Sequence, residues 1–153
     1  MPEQVLESNA TIRWLTHPPQ GTPRLTVGSL TFAATPLAID RDAPHPLATS
    51  PGELMAGAFG SVFAWLLAEE LVREQAPPAE LVVEVGLTAE RAAGADHPEP
   101  ALRAITCHTE ARLAGFDRAR LQALCERVSA VARRSLALRD DLAVQVQATV
   151  VGG

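Results

Sequence analysis

Two thiols, Cys107 and Cys125, are the strongest nucleophiles in the chain. A cysteine attacks as the thiolate, so its usefulness depends on a neighbour or a helix end that lowers its pKa. Cys107 and Cys125 make no CxxC pair, and no Cys/His spacing suits a tetrahedral metal site. His108 adjoins Cys107, but successive residues of a strand point to opposite faces, so the two form no ligand pair. Ser61, in GAFGSVF, lacks the G-x-S-x-G elbow that would present a nucleophilic serine. It reads as a small residue that lets a helix pack closely. Among the charged groups, Glu53 stands three residues after Ser50, the spacing of a capping box. Arg41 lies in the proline-rich stretch RDAPHPLATS, where a guanidinium can meet an acidic group.

The elements that must position these residues follow from pattern. The chain has 153 residues, 47% of them hydrophobic and 20% charged, enough for one well-packed domain spanning 1–153. A net charge of −5, with no basic patch, argues against nucleic acid as a partner. The N-terminus carries no signal-peptide pattern. The apolar stretch Leu54 to Leu67 is interrupted by Gly57, Gly60 and Ser61 and is shorter than the roughly 18–20 residues of a membrane span. A cytoplasmic protein without a membrane segment is therefore expected.

Alternating apolar residues predict strands within 10–40, first at Ala10 to Leu15, then at Arg24 to Ala34, with a third short one at 35–40. Ser50 as cap, Pro51 at the first helical position and Glu53 open a helix over 51–75, stopped by Ala76-Pro77-Pro78. Its apolar residues cover nearly the whole circumference, which predicts burial on nearly all sides. A hairpin follows over 81–113, then a helix over 117–138 capped by Asp117, and a closing strand over 142–151. This is an α+β domain with a mainly antiparallel sheet around a long central helix.

The segment TSPGELMAGAFGSVF, Thr49 to Phe63, resembles the start of the central helix in the OsmC/Ohr family, the osmotically inducible protein C and organic hydroperoxide resistance proteins. That motif reads roughly GTNPEEL-x-A-A-x-x-x-C-F, and Thr49, Pro51, Glu53, Leu54, Ala56, Ala58 and Phe63 match it. The element order agrees along nearly the whole chain. The resemblance implies an intertwined homodimer with the long helices at its centre and no cofactor. It also implies reduction of organic hydroperoxides by a reactive Cys and a resolving Cys, with an Arg and a Glu holding the thiolate.

The chain departs from the motif where that chemistry sits. The reactive-Cys position is Val62, the resolving-Cys position is Ala132, and the first motif Glu is Gly52. Arg41 stands one residue out of register from the family Arg. Valine and alanine supply neither nucleophile nor resolving thiol.

The expectation is a homodimer that binds a small apolar or acyl ligand where the family binds hydroperoxide. Arg41, Glu53, Phe59, Val62 and Trp65 are its candidate binding residues, and no residue is assigned a catalytic role. Two alternatives remain: a thiol-dependent peroxidase in which Cys125 takes over, and a structural module without a ligand.

Overall fold

In the computed structural model, described for residues 4–14, 24–27, 51–91 and 100–152, the chain runs β1 (Gln4–Trp14), β2 (Arg24–Val27), α1 (Pro51–Arg73), β3 (Glu80–Arg91) and β4 (Pro100–Arg112). α2 (Arg118–Ser135) and β5 (Ala143–Val151) follow. The described strands form one five-stranded sheet in the order β2-β1-β3-β4-β5. β1 pairs antiparallel with β2 and β3, and β3 with β4. β5 instead lies parallel to β4, because α2 carries the chain back across the sheet between them. β1 begins earlier than alternation suggests. Its polar Glu7, Ser8 and Asn9 hide the strand, yet they continue the ladder that pairs Gln4 with Arg91. The third short strand expected at 35–40, the cap Ser50 and the loop residue Arg41 lie outside the described residues.

Alternation builds the core on one face of the sheet. Ile12 of β1, Leu81, Val83, Val85 and Leu87 of β3, and Ile105, Cys107 and Ala111 of β4 all point inward and are buried. Glu84, His108, Glu110, Arg112, Gln145 and Gln147 face outward and are exposed. α1 lies against the inward face through Ala56, Phe59, Phe63, Ala64, Leu67 and Leu71. Gly60 permits the approach: a Cβ there would stand 2.1 Å from Ile12 Cδ1 and 2.9 Å from Val85 Cγ2.

α2 is amphipathic, with Leu121, Leu124, Cys125, Val128 and Ala132 buried. Asp117 caps it, accepting 2.8 Å from the Arg120 N–H. Two arginines of α2, Arg120 and Arg127, pair with Glu74 just past α1 and tie the helices together. The α2 side chains also cover the edge of the sheet. The Gln122 amide donates to Val146 O at 2.8 Å and accepts from Ala148 N at 2.9 Å, while Arg118 Nε donates to Ala148 O at 3.1 Å. Together they occupy backbone groups on which a foreign strand would otherwise pair.

Both helices end in the same way. Ala76 N donates to Leu71 O and Gln75 N to Val72 O; Leu138 N donates to Arg133 O and Ala137 N to Arg134 O. These are Schellman motifs, in which the residue in the left-handed region is usually glycine. Here Gln75 (φ 58°) and Ala137 (φ 51°) occupy it. The left-handed region costs an L residue about 1–2 kcal/mol, and glycine gives back part of the gain through its freer unfolded chain, about 0.4–1 kcal/mol. Ala137→Gly is thus expected to raise stability by about 0.5 kcal/mol, seen as a higher urea midpoint with an unchanged slope. A lower midpoint would mean that the turn is held by something beyond its hydrogen bonds.

α1 departs from the expectation of burial on nearly all sides. Its outer side is open: Leu54, Met55, Trp65 and Val72 are exposed, Trp65 at 61%. Val62, Leu66 and Ser61 are half-buried on the same side. By length and composition Gly52–Arg73 would also satisfy the requirement for crossing a membrane, a correction to the shorter stretch weighed above. About half of its most apolar window is buried against the sheet and α2, the pattern of a core helix.

Candidate functional site

The helix register separates the candidate residues. At about 100° per residue, Val62 and Trp65 fall on the outer side of α1, and Phe59 points towards the sheet. Ser61, Val62, Trp65 and Leu66 line an open apolar depression of about 290 Å³ on that outer side. Phe59 is buried and stacks on Phe63 with ring centroids 6.2 Å apart. It lines a different cavity, reached from the start of α1. The structure therefore brings Val62 and Trp65 together and leaves Phe59 apart from them. Gly52 and Glu53, in the first turn, are half-buried. Arg41 lies outside the described residues.

Val62, at the reactive-Cys position of the resemblance, thus sits half-exposed on the outer side of the central helix, beside an indole and without a thiol. Ala132, at the resolving position, is fully buried on the inner side of α2. The two real cysteines lie elsewhere. Cys107 in β4 and Cys125 in α2 are free thiols, both fully buried.

Burial pushes Cys107 from an ordinary 9.0 up to about 12, with the neighbouring Cys125 adding to the rise. Cys125 is also pushed to about 12, chiefly by burial, and Glu126 raises it further. The Thr109 hydroxyl beside Cys125 acts in the opposite sense. It falls short of hydrogen-bond geometry, and Thr109 Oγ1 is buried without a partner. Among the described residues no helix end or cation compensates the desolvation, so neither thiol is primed to attack there. Among the described residues no cluster of three or more His, Cys, Asp or Glu could hold a metal ion.

Sequence reasoning missed a second group of apolar residues. Leu87, Leu102, Ile105, Leu136 and Leu138 join Met55, Ala58 and Phe59 around a cavity of about 190 Å³. The available signal was the break in alternation at Leu102-Arg103-Ala104-Ile105, where two apolar residues stand three apart instead of two.

No family model matches the chain, and no curated protein matches it either. Its likeness is to solved structures. An organic hydroperoxide resistance protein OsmC from Legionella pneumophila superposes with a TM-score of 0.57 at 18% identity, covering 92% of this chain and 96% of that one. An OsmC-like protein from Mycoplasma pneumoniae gives 0.58 at 14% identity, covering 92% and 95%. At such identities the shared property is architecture: a sheet with a long central helix and a second helix on one face. The chain has the α+β fold of the OsmC-like proteins.

Proposed function

We propose that this protein is an OsmC-like homodimer that binds a small apolar or acyl ligand, without the two-cysteine peroxidase cycle. The observation that carries this reading is the outer side of α1. A helix whose outer residues include Leu54, Met55, Val62, Trp65 and Leu66 leaves an apolar strip in water as far as Glu69, which a second subunit would cover. The depression at Ser61, Val62, Trp65 and Leu66 lies in the middle of that strip. Of the two charged candidates, Glu53 lies nine residues before Val62 and so on the opposite side of α1, which leaves Arg41 as the proposed partner of an acidic head group. Val62 in place of a cysteine makes the depression more apolar and removes the nucleophile.

The Legionella pneumophila neighbour is named an organic hydroperoxide resistance protein, which supports keeping that ligand class while the chemistry is dropped. No cofactor, nucleic acid or membrane enters it, and the cytoplasm is the proposed location.

Sedimentation velocity tests the assembly. Wild-type protein at micromolar concentration is expected to run as a dimer, and Trp65→Glu, which puts a charge into the strip, as a folded monomer. A stable wild-type monomer overturns the dimer. Octanoate, titrated against Trp65 fluorescence in a Trp14→Phe background, tests the ligand. Saturable quenching is expected, and its absence overturns ligand binding at this depression.

A further inference from the structure

The cavity of about 190 Å³ between the start of α1, the far end of the β3–β4 hairpin and the α2–β5 turn is separate from the Val62–Trp65 depression. Two irregularities of the backbone converge on it. The first is in β4. Thr88 pairs with Ala104, but Ala89 pairs with Leu102, so Arg103 is an extra residue in the ladder. Strict alternation from the buried Ile105 would turn Leu102 to the outer face. The bulge reverses this: Leu102 lines the cavity, while Arg103 points out and pairs with Glu90 at 2.7 Å. The second is the end of α2. Ala137, in the left-handed region without being glycine, sits between Leu136 and Leu138, and both of these line the cavity.

A bulge and a strained turn are costs to a fold, and such features gather where a side chain has to be aimed. Here both aim leucines at one space. All eight lining side chains are hydrocarbon or thioether: Met55, Ala58, Phe59, Leu87, Leu102, Ile105, Leu136 and Leu138. An enclosed apolar cavity of roughly 150 Å³ takes up benzene; this hollow is half open and of comparable size, enough for a single ring or a short alkyl chain. Met55, 47% exposed, and the exposed Ala58 stand at its mouth.

We propose that this cavity is a second binding site, contained within one protomer, for a small neutral apolar molecule. Its lining side chains all come from one protomer and none lines the Val62–Trp65 depression, while Met55 at its mouth belongs to the strip that the proposed second subunit covers. Recognition is by shape and desolvation alone, so the site takes neutral ligands and discriminates against charged ones. It also discriminates by size, admitting one ring and rejecting fused rings.

The test is a titration of the full chain with benzene, followed by methyl resonances in the NMR spectrum. Saturable shifts at Leu102, Ile105, Leu136 and Leu138, with one benzene per chain, are expected. Leu102→Trp, which fills the cavity, should weaken benzene binding at least tenfold while the protein still melts cooperatively. Leu138→Phe serves the same purpose should Leu102→Trp fail to fold. The proposal is overturned if these methyls do not shift in the wild-type protein, or if they shift only together with Val62. Unchanged affinity in a folded cavity-filling variant also overturns it, as do contacts showing a partner subunit's side chain already in the space.

Discussion

Incubated with cumene hydroperoxide and a dithiol reductant, the purified protein is expected to consume peroxide no faster than the dithiol alone. In the two-cysteine cycle a thiolate attacks the O–O bond, expels the alkoxide, which leaves as the alcohol, and becomes a sulfenic acid. A second thiol then condenses with it, releasing water and closing a disulfide that the dithiol reduces. Each step needs sulfur at an accessible place. On the OsmC/Ohr resemblance Val62 and Ala132 stand at the two positions, and no cysteine occurs anywhere in α1.

The thiols that do exist are poorly placed to substitute. With Cys125 held near 12, the thiolate is scarce at neutral pH, and full burial denies the peroxide a path to it. Turnover that disappears in Cys125→Ser would overturn this and restore the thiol peroxidase reading.

The same burial has a pH signature. Both thiols ionise near 9 in the unfolded chain and near 12 in the folded one, so the folded state holds more protons between those values. Their contribution to stability is therefore complete below about pH 9 and is lost as pH rises from there towards 12. A thiol reagent at pH 8 is expected to count no cysteine in native protein and two after unfolding.

How much of this was legible beforehand depended on whether a single element carried the signal. α1 announced itself by Pro51, Glu53 and the proline stop, and Asp117 announced α2, because caps are local chemistry. The outer side of α1 was not legible. A helix apolar all round has no preferred face, so nothing in its residues distinguishes the side against Ile12 and Val85 from the side carrying Trp65. The parallel pairing of β5 was readable in principle, since a helix between two strands allows it, but alternation is the same in either direction. The bulge at Arg103 and the left-handed Ala137 are decisions of the assembled sheet and helix end. Each shows in sequence only as a small break in pattern, and the cavity they shape stayed hidden with them.

The other large effect expected is at Gly60. Gly60→Val should destabilise the protein by about 3 kcal/mol, the upper part of the range for overpacking a core. A Cβ at this position falls 2.1 Å from Ile12 Cδ1 and 2.9 Å from Val85 Cγ2, both closer than contact allows. Neither neighbour has free space to retreat into. Ile12 and Val85 are fully buried, with Ile12 paired across the strands to Val83 and Val85 to Ala10. The two γ-methyls of valine would enlarge the clash and force α1 away from the sheet along its middle. The burial of Phe59 and Phe63 on either side of Gly60 depends on that same approach. Gly60→Ala makes the comparison informative. It carries the Cβ clash, but in a helix interior alanine is better than glycine by about 0.8–1 kcal/mol, so the net loss should be about 1 kcal/mol. Urea denaturation of the three proteins provides the measurement, with midpoints expected in the order wild type, Gly60→Ala, Gly60→Val. An alanine variant more stable than wild type would mean that α1 does not approach Ile12 this closely, and the close packing of helix on sheet described here would be wrong.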